Sequence, residues 1–379
     1  MSQALIYVQH LLGIGHLARV SRIAAALAKA GIDVTAISGG SPVAGFPAAG
    51  VRLVQLPPIR ARDMSFSELV DADGQVLGDE FKVVRRDRLI AEFDALQPDV
   101  LIIEAFPFGR RQMRFELLPL LQHAKAASRP PLIASSVRDI LQESRKAGRA
   151  EETLGLVRDF FDLVLVHGDP NFARLEDTFP LATQIAGRVV HTGLVAAEAA
   201  TSPDRFDVVV SAGGGVVGHK LVATAVRAAA RLSAQWPRWC IITGPHFPET
   251  ERTVLEATLP AGVTLETFRS DFPGLLANAR LSISQAGYNT VCDILRARCP
   301  SVLIPFAQGG ETEQSARAYR LETLGIAALV KEDQLTPESL AAAMKRAPSP
   351  MAHRINLEGA QETARVVMER LAARRKPGT

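Results

Sequence analysis

A histidine set among glycines at a strand-to-helix turn is suited to proton transfer, and the sequence offers one in Gly13-Ile14-Gly15-His16. The apolar run Ala4–Val8 before it reads as a strand, and Val20–Ala30 after it carries apolar residues at helical spacing. Glycines in such a turn let the backbone approach a ligand, and the free N–H groups of a helix start attract an anion. An imidazole there can take a proton from a hydroxyl. The alternative is a histidine that caps its own helix. Read through Ala18 as G-x-G-x-x-A, the loop also fits a dinucleotide fingerprint. Two details argue against NAD. Gln9-His10-Leu11-Leu12 lengthen the turn, and the second strand ends in Ser38-Gly39-Gly40 with no acidic residue for a ribose.

Two more loops of this kind lie in the second half. Gly213, Gly214 and Gly215 follow the strand Val208–Ser211 and precede a helix. Their N–H groups can form a nest for a diphosphate, or the glycines can serve close packing. The segment Ser284-Gln285-Ala286-Gly287-Tyr288-Asn289-Thr290 again joins a strand to a helix, with Asp293 one turn in. Ser284, Ala286, Gly287, Asn289 and Thr290 supply hydroxyls, amides and backbone for a phosphate, and Asp293 can accept both hydroxyls of a ribose. At the next strand end, Pro305–Gln314 brings Glu311, Glu313 and Gln314, which suit sugar hydroxyls; the plain alternative for each is a solvated loop residue.

Strand ends of the first half carry further polar residues. Glu104 precedes Pro107-Phe108-Gly109-Arg110-Arg111 and can orient His16, hold a second substrate, or pair with Arg110 or Arg111. Arg138-Asp139 invites the same readings, and His167 and Asp169 suit a substrate-side or a structural role. Pro57–Gly78, with scattered charge and no period, reads as a long loop.

These residues need strands and helices to hold them, and the pattern is an alternating α/β one. Strands are expected at Ala4–Val8, Asp33–Ile37, Val51–Gln55, Asp99–Ile103, Leu132–Ser135 and Leu163–Val166. A second series follows at Val208–Ser211, Trp239–Thr243, Thr264–Thr267, Leu281–Ser284, Val302–Pro305 and Ala327–Val330. Helices are expected at Phe81–Ala95, Phe115–Ala126, Leu221–Gln235, Glu249–Ala257, Thr290–Ala297 and Gln314–Leu324. Ala196–Arg205, small and polar, reads as a linker. The expected plan is therefore a domain over residues 1–200, a second over 201–352, and a helix over 353–379 that returns to the first after the Pro348–Pro350 break.

At 379 residues the chain is long enough for two such domains, and its 47% hydrophobic and 22% charged content is that of a soluble globular protein. A net charge of +3 gives no ground for nucleic-acid binding. No apolar run is long enough for a membrane span, and no leader pattern precedes Ala4. Cys240, Cys292 and Cys299 lack metal-ligand spacing, which fits a cytoplasmic protein with reduced thiols. The basic stretch Arg374-Arg375-Lys376 reads as a solvated helix end or a contact with an anionic membrane surface.

Together these segments resemble the GT-B glycosyltransferases, especially the N-acetylglucosaminyltransferases that complete the lipid-linked peptidoglycan precursor. The likeness is best over residues 207–345, where Ser284–Asp293 and Pro305–Gln314 look like that family's donor-binding segments. Asp293 stands where the family has a ribose-binding glutamate, and Glu313-Gln314 near its sugar-binding pair. Gly13-x-Gly15-His16 is similar to the family's loop with the presumed base, though poorer in glycine. Glu104–Arg111 and Ser136–Asp139 resemble a bacterial group of predicted glycosyltransferases. Gly13-x-Gly15-His16-x-x-Arg19 is also close to the loop of nucleotide-sugar hydrolases of the same fold.

The resemblance implies two Rossmann-like parallel-sheet domains facing across a cleft, and an inverting transfer of a sugar from a nucleoside diphosphate, UDP-linked and carrying an N-acetylhexosamine. The glycine loops hold the diphosphate, His16 is the base with a pKa near neutrality, and Glu104 assists it. Arg110, Arg138 and Asp139 face an acceptor that is lipid-linked, at the inner face of the membrane. A hydrolase, an epimerase and a non-catalytic nucleotide-sugar-binding module are the rival readings. No Asp-x-Asp motif lies in position to hold a metal, and no cofactor is expected beyond the nucleotide-sugar substrate. Turnover of a nucleotide sugar should therefore survive EDTA; complete loss on chelation, restored by Mg²⁺ or Mn²⁺, would overturn the expectation.

Overall fold

A computed structural model describes residues 1–11, 13, 15–62, 68–142, 147–214, 217–349 and 353–375. Gly215 of the glycine loop, Leu12 and Ile14 of the histidine loop, residues 63–67 of the long loop, Pro350 and Lys376 lie outside these. The chain divides into two compact units, Met1–Val195 with Ile355–Thr379, and Ala196–Arg354.

Unit 1 is built on a parallel sheet of β1 (Ser2–Val8), β2 (Ile32–Ser38), β3 (Arg52–Gln55), and, beyond a short antiparallel pair of β4 (Arg60–Ala61) and β5 (Leu69–Val70), β6 (Val100–Glu104), β7 (Leu132–Arg138), β8 (Leu163–His167) and β9 (Val189–His191). Its order is β3-β2-β1-β6-β7-β8-β9. Alternate residues of β1 enter different cores: Leu5 and Tyr7 one, Ala4, Ile6 and Val8 the other. Burial on both faces is why the central strands β1, β6 and β8 read as long apolar runs. Helices α1 (Gly15–Lys29) and, from the far end of the chain, α11 (Gly359–Arg375) pack together on one face, Val20, Ile23 and Leu27 sharing a core with Ala364, Val367 and Leu371. On the other face lie α2 (Asp79–Leu96), α3 (Arg114–Ala126) and α4 (Arg149–Phe160), through Leu89, Leu117, Leu121 and Val157.

Unit 2 has β10 (Val208–Ser211), β11 (Trp239–Ile242), β12 (Val263–Glu266), β13 (Leu281–Ser284), β14 (Ser301–Leu303) and β15 (Ala328–Leu329), all in parallel pairs, in the order β12-β11-β10-β13-β14-β15. Its helices are α5 (His219–Leu232), α6 (Glu249–Glu256), α7 (Phe272–Asn278), α8 (Tyr288–Ala297), α9 (Glu313–Thr323) and α10 (Pro337–Arg346). No helix among the described residues is long and apolar enough to cross a membrane.

Several elements differ from the sequence expectation. α1 starts at Gly15 rather than Val20, which puts His16 in its first turn. The final helix starts at Gly359 instead of His353, because the residues before it are held extended: Asp169 Oδ2 accepts from Asn356 N at 2.7 Å, and Leu194 N donates to Asn356 O at 2.8 Å. Residues 196–205 have no regular structure, yet they are fastened within unit 2. Ser202 Oγ donates to Asp271 at 2.6 Å and Arg269 bridges Asp204 and Asp271. The basic helix end is turned onto unit 1, with Arg375 Nη2 on Ser2 Oγ at 2.8 Å.

α11 reaches its seat through two glycines. An added Cβ on Gly359 would run into the carbonyl of Gly193, and Gly193 itself has φ +86° against Asn356. Gly359→Ala should therefore cost about 1–3 kcal/mol, the usual scale for overpacking against backbone, and lower the melting temperature. A melting temperature equal to wild type would show that this approach is not tight.

Candidate active site

In each sheet the strand order reverses once, between β1 and β6 in unit 1 and between β10 and β13 in unit 2. Ligands of open parallel sheets bind outside the carboxyl ends of the strands at such a reversal. The loops after β1 and β6 carry His16 and Glu104. Those after β10 and β13 carry Gly213, Gly214 and Gln285–Gly287.

His16 Nδ1 lies 2.7 Å from Glu104 Oε1. A carboxylate can only accept, so Nδ1 carries the proton and Nε2 is the lone-pair nitrogen. The bond spans from α1 to the end of β6 and does not cap the helix. Glu104 is fully buried, while the His16 side chain keeps 18% of its surface exposed. Arg19, one helical turn on, contacts the same oxygen through Nη2. Glu104 thus pairs with Arg19 rather than with Arg110 or Arg111. Arg110 has a left-handed backbone (φ 56°) and its Nε donates to Gln9 O at 2.7 Å; Arg111 pairs with Glu152.

The expectation of a His16 pKa near neutrality is corrected by its surroundings. Burial lowers it most; Glu104 pulls it up, Arg110 and Arg19 push it down, and the balance lies at about 3. For Glu104, burial favours the neutral acid, but His16 and Arg19 outweigh it and hold the carboxyl well below its usual range. The pair therefore stands as a neutral imidazole on an ionised carboxylate.

A buried polar frame supports this end of β1. Arg85 of α2 donates through Nε to Glu116 Oε2 at 2.6 Å and through Nη2 to Gln9 Oε1 at 2.8 Å. Tyr7 also bonds Glu116, and burial, reinforced by that carboxylate, raises its hydroxyl well above its ordinary pKa. Gly39 and Gly40, read above only as lacking an acidic residue, are needed for packing: a Cβ on either would strike Gln9 and Arg85, or His10. His167 is a core residue, with Nε2 2.8 Å from Ser136 Oγ and Nδ1 2.9 Å from Thr192 Oγ1. Asp169 fastens Asn171 and Asn356. Arg138 ends β7 half-buried beside a buried Asp139.

In unit 2, Gly213 (φ 68°) and Gly218 (φ 108°) turn the chain from β10 into α5. The Gln285 side chain fits against both, 3.2 and 3.1 Å from where their Cβ atoms would stand. Gln285, which the sequence places in the Ser284–Thr290 loop without singling it out, thus links the two glycine turns. Gly287 is the N-cap of α8, with Asn289 and Thr290 in its first turn and Ser284 and Ala286 buried below. Asp293, on α8, is 7% exposed.

The sugar candidates have internal partners. Gln314 Oε1 accepts from Ala286 N at 3.1 Å and Phe306 N at 3.2 Å, clamping one loop to the next. Glu313 pairs with fully buried Arg317 at 2.8 Å, and Arg317 Nη1 reaches Ala286 O at 2.9 Å. Glu311 accepts from Gln314 N at 3.1 Å, and burial raises its carboxyl. A pocket of about 590 Å³ opens beyond this clamp, lined by Lys220, Pro305, Gln308, Tyr319, Lys331 and Asp333 among others, and by none of the glycine-loop residues.

Comparison with solved structures fits this architecture. A calicheamicin glycosyltransferase superposes over 99% of this chain and 100% of its own, with a TM-score of 0.64 at 18% identity. Acinetobacter baumannii MurG covers 97% and 99%, with a TM-score of 0.57 at 17% identity. The chain has the GT-B fold. Within this GT-B chain, residues 208–371 match the glycosyltransferase family 28 C-terminal domain. The UDP-N-acetylglucosamine--N-acetylmuramyl-(pentapeptide) pyrophosphoryl-undecaprenol N-acetylglucosamine transferase of Brucella anthropi is 33% identical over 161 residues, 41% of this chain and 42% of its own. The Paramagnetospirillum magneticum protein of that name is 31% identical over 184 residues, 45% and 49%. The GT-B chain spans about half the length of the curated relatives it matches.

The Gln314 clamp makes a prediction. Gln314→Ala leaves two backbone N–H groups without their acceptor and should cost about 1–3 kcal/mol, while Gln314→Glu keeps an acceptor and should melt near wild type. Equal melting of all three proteins would mean the amide is not a clamp.

Proposed function

We propose that this protein is a glycosyltransferase that moves a sugar from a nucleoside diphosphate to a hydroxyl acceptor, with inversion and without a metal ion. The observation that carries the reading is the His16–Glu104 pair at the strand reversal of unit 1, in a chain whose second half matches a glycosyltransferase domain. His16 Nε2 takes the proton of the incoming hydroxyl, and Glu104 faces the imidazolium that forms. The oxygen attacks the anomeric carbon from the side opposite the leaving group, whose bond breaks with its electron pair kept by the diphosphate. Unit 2 is the donor unit. N–H groups around Gly213, Gly214 and the start of α8 offer fixed dipoles for the charge that grows on the diphosphate. Asp293 is the proposed ribose ligand.

The relatives' names support a UDP-linked N-acetylhexosamine as the proposed donor and a lipid-linked molecule as the proposed acceptor, and with them a place at the inner face of the membrane. Arg110 and Arg138, at the same edge as His16, are the proposed acceptor contacts. A lowered imidazole pKa keeps the base unprotonated throughout the physiological range, at the cost of some basicity.

His16→Ala should lower kcat by about 10²–10⁴-fold with donor affinity nearly intact. Asp293→Ala should do the reverse, weakening nucleoside diphosphate binding about ten- to a hundred-fold. Nucleotide release from UDP-N-acetylglucosamine should be slow alone and fast with acceptor. Fast, His16-dependent release that yields free sugar would make the protein a hydrolase. Full activity in His16→Ala would sink the mechanism.

A further inference from the structure

Glu104 Oε1 is shared. His16 Nδ1 and Arg19 Nη2 both reach it, and Oε2 is buried without a hydrogen-bond partner among the described residues. A buried histidine beside a lone carboxylate normally gains a proton, because the ion pair is better than two isolated groups. Here the carboxylate already has a cation in contact. A protonated His16 would put two positive charges on one oxygen, with Arg110 adding a third nearby.

We propose that Arg19 is a positioning residue for the base: by occupying Glu104 Oε1 it offsets part of the carboxylate charge, so that His16 holds one proton on Nδ1 and presents a bare Nε2. Three charged groups face the ring: Glu104 from β6, Arg19 from α1, and Arg110 from the segment after β6. They act differently. Arg110 repels the imidazolium through space, bonded to Gln9 and not to Glu104. Arg19 repels it too, and in addition occupies the carboxylate oxygen that His16 shares. His167 of β8 feels the same Arg19 and Glu104, but both its nitrogens are spent on hydroxyls and it does not compete for the proton.

The inference rests on reading His16 as the base, and its test does not need turnover. In ring-nitrogen NMR of the full chain labelled at histidine, wild-type His16 should show the Nδ1–H tautomer and stay neutral down to about pH 4. Arg19→Gln removes the cation and keeps a hydrogen-bond donor. The charge of Glu104 then falls to His16 alone, and its titration midpoint should rise by about 1–3 units. Arg19→Lys restores a cation and should bring the midpoint back towards wild type, which a purely packing role would not do. Arg110→Gln should raise the midpoint without altering the Nδ1 proton shift that reports the Glu104 bond, whereas Arg19→Gln should alter both. Where Arg19→Gln fails to fold, the Lys variant and the wild-type tautomer still decide. An unchanged His16 midpoint in Arg19→Gln, a Lys variant that titrates like the Gln variant, or a wild-type His16 protonated at pH 6 would each overturn the proposal. If the midpoint moves as expected but His16→Ala keeps full turnover, Arg19 tunes an imidazole that is not the base.

Discussion

Every strand pair in the two main sheets is parallel, so each connection must return across a face of its sheet, and the hand of that return is nearly fixed. A chain that winds outward from β1 in one direction and from β6 in the other must place its helices on opposite faces. That leaves a gap at the carboxyl ends where the two directions meet. The gap is where β1 and β6 release their loops in unit 1, and where β10 and β13 do so in unit 2. His16, Glu104, Gly213 and Gly287 stand there because the sheet offers nowhere else for several loops to converge without a helix between them.

Convergence alone would leave charged groups in a dry interior, and unit 1 answers with two buried networks. Around Arg85, a guanidinium with no exposure bonds Glu116, Gln9 and the backbone of Gly39, tying α2 and α3 to the end of β1. Around Glu104, Arg19 and His16 share one oxygen. Breaking such a network by removing one member costs several kcal/mol, since the remaining charge keeps its desolvation penalty, about 3–5 kcal/mol for a buried pair. Gln9 carries the first network to Arg110, its side chain held by Arg85 and its carbonyl by Arg110. Arg110 meets Glu104 through charge and not through a hydrogen bond, so the frame and the reactive edge are coupled electrostatically.

Much of this was legible from sequence, for reasons that can be named. Strands such as Val208–Ser211 and Val100–Glu104 open on unbroken apolar runs that fill both faces, and such a run survives any tertiary detail. α7 leaves little trace in the sequence because Phe272–Asn278 is short and carries Pro273 and Gly274; α10 because Pro337–Arg346 is rich in alanine, which blurs its apolar stripe. The start of α1 at Gly15 is hidden in the sequence because glycine disfavours a helix interior but not its first residue. For the site, the glycine turns announce their loops. The direction of a side chain is another matter. Gln314 and Glu313 read as sugar ligands, yet backbone N–H groups and Arg317 claim them, and those partners come from the folded arrangement. The contact of Arg19 with Glu104 links residues 85 apart in sequence, and only the register of β6 beside β1 brings them together.

The shared core of α1 and α11 has a consequence for how the protein is made. Unit 2 is one unbroken stretch of chain and has all its parts as soon as it leaves the ribosome. Unit 1 does not, for the helix that seals the face of α1 is translated after the whole of unit 2. Until then Val20, Ile23 and Leu27 lack the α11 side of their shared core, and such transient exposure invites aggregation or a chaperone. Synthesis order and folding order therefore run in opposite senses: unit 1 is begun before unit 2 and completed after it, and the helix that carries His16 and Arg19 is fully packed only once α11 has been made.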